Sequence, residues 1–251
     1  MKRFLIAATA AAALTMMMTS AGQAQTVRIA TEGAYAPWNF INEAGRAAGF
    51  EIDLGNEICR RAQLTCEWVV TAWDTMIPNL LAGNFDVIMA GMSITDERLL
   101  TIDFSAEYYP SDESRFAMRA GSAINFDALS GLRIGAQTGT IHAGWLAENL
   151  AANNTILTYD TFDQAIADLA AGNLDLVLAD APYLDPIVAA AGGTLVLGGQ
   201  GIQIGGGVGA GMRKEDDALQ ETFDRVIGAM KADGSLNALI VQWFENPNTF
   251  N

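Results

Sequence analysis

The chain has 251 residues, 51% of them hydrophobic, and 29 acidic side chains against 14 basic ones give a formal charge of −15. So acidic a chain is poorly suited to nucleic acid or an anionic membrane surface, and well suited to cationic small molecules. The length allows one large domain or two small ones, and two cysteines with a single histidine do not make zinc-ligand spacing.

At the amino end, Met1-Lys2-Arg3 is basic and Phe4 to Met18 is an apolar run too short to span a bilayer. Gly22-Gln23-Ala24 offers small residues at −3 and −1 of a cut before Gln25. Residues 1–24 therefore read as a cleaved secretion signal that exports the mature chain. No cysteine follows the cut, so no lipid anchor is expected. No later run of about 18 apolar residues suggests a transmembrane helix.

Thr26 to Thr31 reads as the first strand, and Glu32 to Phe40 as the loop after it. That loop sets a carboxylate and two aromatics, Tyr35 and Trp38, at a strand's carboxyl end. They suit a cation and an apolar ligand stem, or else lobe packing around a solvated Glu32. From Gly49, a helix presents Ile52, Leu54, Ile58 and Ala62 on one face. Cys59 and Cys66 bracket its end, and in an exported protein they read as one structural disulfide. Glu67 to Thr71 is a strand. Trp73 begins the next helix, as a wall of a binding cleft or as core.

The densest signal lies between Leu80 and Arg98. A helix ends at Ala82 and Gly83-Asn84 supplies a left-handed cap. Phe85 to Met89, apolar apart from Asp86, is a buried parallel strand. Ala90-Gly91 leaves the backbone approachable at its carboxyl end. Ser93 and Thr95 are cap-type residues before Asp96-Glu97, and Arg98 follows as a fork of donors suited to a carboxylate. Open α/β sheets bind ligands at such strand ends.

Thr101 to Tyr109 stays extended, residues 110–114 break the pattern, and a strand resumes at Arg115. Arg133 to Gln137 is a strand, and Thr138-Gly139-Thr140 opens a helix that carries His142. A strand near Leu157, a helix from Thr161 to Ala171, a strand from Leu174 to Ala179 and a helix after Pro182 follow. Gly205 to Gly207 and a strand from Val208 to Met212 bring the chain back, and helices at Glu215 to Lys231 and Leu236 to Phe244 close it.

Two stretches repeat. L-x-A-G-N-x-D-x-V/I occurs around Asp86 and again around Asp175, with Ala90-Gly91 matched by Ala179-Asp180. Arg28 to Gly33 is likewise echoed by Arg133 to Gly139. The pattern predicts two α/β lobes, each a mixed, mostly parallel sheet flanked by helices, joined by a two-strand hinge. Lobe 1 is residues 25–110 and 206–251, and lobe 2 is residues 111–205.

The segments ATEGAYAPWNF, GFEIDLGNEIC, MSITDERLLTIDFS, GAQTGT, AGNLDLVLAD and MRKEDDALQ…MKADGSL resemble, in order, the polar amino-acid group of periplasmic solute-binding proteins. The likeness is to the lysine/arginine/ornithine- and histidine-binding type, with opine-binding proteins close by. It implies the type II two-lobed binding fold and a monomer that delivers its ligand to an inner-membrane ABC permease, without a cofactor. It also implies that Arg98 clamps the α-carboxylate, that Ser93 and Thr140 add hydrogen bonds, and that Asp180 takes the α-ammonium. Tyr35 and Trp73 match the walls around the side chain, Glu32 an acid that meets a distal cation, and Cys59 and Cys66 a family disulfide.

A zwitterion stripped of water needs both charges matched. A ligand bridging Arg98 and Asp180 would therefore favour the closed state alone. Within the pattern, Ala90 stands where cationic amino-acid binders tend to carry serine, and Gly91 follows, leaving room for a bulkier side chain. His142 is either a ligand contact or a satisfied capping residue. Arg98 could instead pair with Asp96 or Asp103, and Asp180 could simply cap a helix. The expected ligand is arginine, lysine, ornithine, histidine or a larger relative. An opine is the alternative, disfavoured by Asp180, which suits a free α-ammonium. An enzyme resembling the cyclohexadienyl dehydratases would need Glu32 or His142 as its acid or base, and no nucleophile–base pair is visible. A sensory module is usually tethered, and no anchor follows the cut.

Overall fold

The computed structural model describes residues 26–245 and 247–251. The secretion signal expected at residues 1–24 lies outside the described residues. In lobe 1 the apolar run of β1 (Thr26–Thr31) is buried at Val27, Ile29 and Ala30, as a strand covered on both faces requires. The stretch expected to be a plain loop instead folds into a small antiparallel sheet of β2 (Ala34–Tyr35), β3 (Asn39–Ile41) and β4 (Ala47–Ala48). Its strands are too short to show a period of two. Helix α1 (Phe50–Ala62) follows, with Ile52, Leu54 and Ile58 buried. Its end is joined to the start of β5 (Thr65–Val70) by the Cys59–Cys66 disulfide.

Trp73–Thr75 forms a single 3-10 turn, and the helix proper is α2 (Met76–Leu81). After β6 (Val87–Ile88) come α3 (Asp96–Leu99) and β7 (Asp103–Phe104). The chain then passes into lobe 2. There β8 (Glu113–Arg119), β9 (Arg133–Gln137), α4 (Ile141–Asn149), β10 (Thr155–Tyr159) and α5 (Phe162–Ala171) lie in succession. They lead to β11 (Leu176–Asp180), α6 (Ala181–Ala190) and β12 (Leu195–Gln203). Sequence reading missed β12. Its glycines at 198, 199 and 201 hide the alternation, and its register against β8 shifts between Gly198 and Ile202.

The return strand narrows to β13 (Gly211–Met212), with Val208 bridging Ser93 and Tyr109 ahead of it. Helices α7 (Asp217–Ala232) and α8 (Ser235–Trp243) pack back on lobe 1. The sheet orders are β5-β1-β6-β13-β7 and β10-β9-β11-β8-β12. Each is parallel on one side and antiparallel where β13 or β8 enters. The carboxyl ends of β1 and β6 in one sheet, and of β9 and β11 in the other, face one cleft.

The sequence repeats have a structural reason. Asp86 accepts from Arg28 N–H at 3.0 Å and Arg28 Nη2 at 2.8 Å. Asp175 accepts from Arg133 N–H at 2.8 Å and Nη2 at 2.9 Å. A second arginine completes each copy: Arg213 Nη1 donates to the carbonyls of Leu80 and Phe85, and Arg119 Nη1 to those of Leu169 and Leu174. Every lobe thus ties its helix end to its central strands through an arginine–aspartate lock.

Burial alone would raise the Asp86 pKa, but Arg28 and Arg213 outweigh it and the net shift is downward. A lowered folded-state pKa gives stability that is present above the unfolded carboxylate value and lost as pH falls through the folded one. Asp86→Asn is expected to cost on the order of 2 kcal/mol at neutral pH. Urea titrations should show the deficit shrinking in acid; a deficit that does not depend on pH would count against the lock.

Candidate functional site

Between the lobes lies a small, nearly filled cavity lined by polar and apolar side chains, at the strand ends where small-molecule sites commonly form. Ten of the candidates named from the sequence line it, whereas Trp38 does not: it is buried against Phe50, Tyr109 and Phe244, which is the lobe-packing alternative. Glu32, Tyr35, Trp73, Ala90, Gly91, Ser93 and Arg98 come from lobe 1, and Thr140, His142 and Asp180 from lobe 2. Gln137, Ile141 and Phe162 line it as well.

Thr95 caps α3, accepting from Arg98 N–H at 3.2 Å, and so sets Arg98 at the helix start. The guanidinium donates from Nη1 to the Ser93 carbonyl at 2.8 Å and lies 5.4 Å over the Trp73 ring. Among the described residues it has no carboxylate at ion-pair distance, so the pairings with Asp96 or Asp103 do not form. Burial pulls its pKa down to about 10, against opposing pulls from Asp180 and Glu97. A desolvated cation held by one carbonyl and one ring has donors to spare.

Asp180 ends β11 and precedes α6, yet its side chain makes no capping bond. The carboxylate turns into the cleft instead. Oδ2 accepts from the Tyr35 hydroxyl of the opposite lobe at 2.6 Å, and Oδ1 lies 3.3 Å from His142 Nε2. Burial pushes the Asp180 pKa up, but His142, Tyr35 and Arg98 together prevail and hold it below the ordinary value. Thr140 caps α4, accepting from Ala143 N–H at 3.2 Å and donating to Gln137 O at 2.7 Å.

Glu32 meets lobe 2 directly. Gln137 Nε2 donates to its Oε1 at 2.5 Å. Burial raises its pKa to about 7, with Gln137 opposing and Asp163, Asp74 and Glu51 adding to the rise. Tyr35 stacks on Tyr183 of lobe 2 with ring centroids 4.3 Å apart, and Phe162 lies 5.4 Å away. Tyr183 in turn donates to Asp163 at 2.8 Å.

Sequence reading missed Gln137, Ile141, Phe162 and Tyr183. For Gln137 the signal was present: in the repeat of Arg28 to Gly33 by Arg133 to Gly139 it occupies the place of Glu32, and the two equivalent strand ends meet across the cleft. The others carry no local mark. Gly91 lies at φ +63°, a backbone conformation that favours glycine, and a Cβ there would sit 3.4 Å from the Tyr35 ring.

The arrangement can hold a zwitterion, with a guanidinium on one lobe, a carboxylate on the other and a second acid beyond. His142 Nε2 also lies 3.0 Å from Ser114 Oγ. Serine and aspartate thus share one ring nitrogen, while Nδ1 is buried without a partner. A triad needs the aspartate on the nitrogen opposite the serine, so this trio is not a nucleophile relay. No group of three or more metal-ligating side chains occurs among the described residues.

Residues 27–246 match the profile of the bacterial extracellular solute-binding proteins, family 3. The chain is 34% identical to the lysine/arginine/ornithine-binding periplasmic protein of Escherichia coli strain K12, over 88% of each. It is 32% identical to the octopine-binding periplasmic protein of Rhizobium meliloti, over 90% of this chain and 92% of that one. Among solved structures it is similar to a periplasmic His/Glu/Gln/Arg/opine family-binding protein from Silicibacter pomeroyi in complex with lysine. That likeness has a TM-score of 0.84 and 48% identity, covering 89% of this chain and 100% of that one.

Proposed function

Because the chain belongs to the bacterial extracellular solute-binding proteins, family 3, we propose that it is a periplasmic receptor that captures a cationic amino acid between its lobes for an ABC permease. The lobes divide near residues 110/111 and 205/206, and the chain works as a monomer. One observation carries this reading: the desolvated guanidinium of Arg98, which among the described residues has no carboxylate at ion-pair distance, shares a cavity with the ionised Asp180 of the opposite lobe. The α-carboxylate goes to Arg98, Ser93 and Thr140, and the α-ammonium to Asp180. The side chain runs along Tyr35 and Trp73 toward Glu32, where a distal cation is met. The lysine bound to the Silicibacter relative supports a lysine-like ligand. Consistent with export, the relatives are periplasmic proteins, and no described helix is long and apolar enough to cross a membrane.

The opine reading draws on the octopine-binding relative and on the small residues Ala90 and Gly91. Against it, Asp180 suits a free α-ammonium better than a substituted one. A thermal-shift screen across amino acids and opines separates the two. A ligand at about 100 times its Kd adds roughly 2.7 kcal/mol to apparent stability. Lysine, arginine or ornithine should give the largest shift; an opine ahead of all of them would replace the present reading.

Glu32 makes the binding depend on pH. A carboxyl whose folded pKa is raised to about 7 favours the fold below its unfolded value, and that contribution is lost as pH rises through 7. A distal cation reverses the balance by favouring the ionised form. Lysine affinity should therefore fall on acidification below about pH 7, with protons released on binding. Glu32→Gln should remove this dependence and cost cationic ligands on the order of 2 kcal/mol while sparing glutamine. Calorimetry in two buffers of different ionisation enthalpy reads both effects, and an equal loss for arginine and glutamine would reject the distal-cation role.

A further inference from the structure

Behind the cavity wall, α1 buries an acid that the binding reading does not use. Glu51 lies in the first turn, where an acid is ordinarily solvated beside the helix dipole, yet it is fully buried. Three donors converge on it. Gly91 N–H at 2.7 Å and the Tyr108 hydroxyl reach Oε1, and Asn39 Nδ2 reaches Oε2 at 2.8 Å. Asn39 in turn accepts Gly33 N–H on Oδ1 at 2.7 Å. Asn39 and Tyr108 are also fully buried. Among the described residues no cation stands at ion-pair distance from Glu51, so hydrogen bonds alone compensate its charge. Burial raises its pKa, and the same three donors offset that rise only in part.

The ends of this network matter. Gly33 follows Glu32, Gly91 lines the cavity, and Tyr108 N–H donates to Val208 O at 2.8 Å where the chain crosses between lobes. We propose that Glu51 and Asn39 are a positioning pair that holds the two cavity loops of lobe 1, those of Glu32 and Gly91, in register for the ligand and ties them to the interlobe crossing. This rests on the amino-acid-binding reading above and adds residues that touch no ligand.

The pair is locked in polarity. A backbone N–H only donates, so Gly33 obliges Asn39 to turn its oxygen inward and its amide toward Glu51. Gly91 likewise obliges Glu51 to accept. With Glu51→Gln alone, one introduced N–H₂ faces either the Asn39 amide or the Gly91 donor, and one buried donor loses its acceptor. Adding Asn39→Asp restores every donor–acceptor match and keeps one carboxylate within the pair.

The test is calorimetric titration of the mature chain with lysine and with its neutral analogue norleucine, alongside the Tm of each unliganded variant. Glu51→Gln is expected to weaken lysine about tenfold or more. The double variant N39D/E51Q should recover to within about threefold, less than 1 kcal/mol. A purely structural role would lower Tm, and the swap would restore it, without moving Kd measured well below Tm in either variant. Where Glu51→Gln does not fold, Tyr108→Phe, which removes one donor only, takes its place and should weaken lysine a few fold. Unchanged affinity in the single variant, or a double variant no better than it, overturns the inference while the receptor reading stands. A wild-type chain that binds neither lysine nor arginine overturns both together.

Discussion

Replacing Arg98 with alanine is expected to abolish measurable amino-acid binding while leaving the unliganded protein as stable as before, or slightly more so. The two effects have one cause. Arg98 is half-buried with its guanidinium desolvated, its pKa is pulled down to about 10, and among the described residues its contacts are the Ser93 carbonyl and the Trp73 face rather than a carboxylate. A desolvated cation in that state costs free energy until an anion arrives, so its removal does not harm the empty fold. The ligand, by contrast, loses the group that offsets the desolvation of its carboxylate. A loss on the order of 5 kcal/mol, more than about a thousandfold, is expected. Titration calorimetry reads the affinity and scanning calorimetry the stability. Near-normal affinity would refute the clamp, and a large fall in Tm would show Arg98 to be a structural residue.

Asp180→Asn should cost on the order of 2–5 kcal/mol in affinity, the usual range for stranding one member of a desolvated charge pair. The substitution isolates charge. The amide oxygen can still accept from the Tyr35 hydroxyl, and the amide N–H₂ can donate to His142 Nε2, which then acts as acceptor. Shape and hydrogen bonds across the cleft are kept. What is lost is the carboxylate that meets the α-ammonium and that also supports the charge on Arg98. Calorimetry on the variant should show the loss for every amino acid alike, whereas Glu32→Gln discriminates by side chain. A loss below about threefold would mean that Asp180 serves the Tyr35 contact and not the ligand.

Together these variants separate the ends of the proposed ligand. Arg98 and Asp180 read its backbone and Glu32 reads its side chain. The pH profile belongs to Glu32, whose carboxyl is raised to about 7, and not to Asp180, whose lowered pKa keeps it ionised.

Much of this was legible in the residues. The apolar runs of β1, β9 and β11, the glycine stops after α2 and α5, and the cap residues before α3 and α4 are local signals. They place Glu32, Arg98, Thr140 and Asp180 at strand carboxyl ends and helix starts whatever the rest of the chain does. The twofold L-x-A-G-N-x-D motif determined that there are two such units, because each copy must tie its own arginine to its own aspartate. Where the elements were short or rich in glycine, as in β2, β3 and β12, periodicity had too few residues to register.

What the tertiary structure alone decided is which of these ends face each other. Gln137 reaches Glu32 and Tyr35 reaches Asp180 across sequence separations of 105 and 145 residues, and no local period encodes a contact between lobes. Glu51 makes the same point most sharply. By sequence it is an ordinary first-turn acid on a helix, yet Gly91, Asn39 and Tyr108, brought in from three other segments, supply the donors that allow it to be buried. A buried charge is compensated by whatever partners converge on it, and that convergence exists only once the chain has folded.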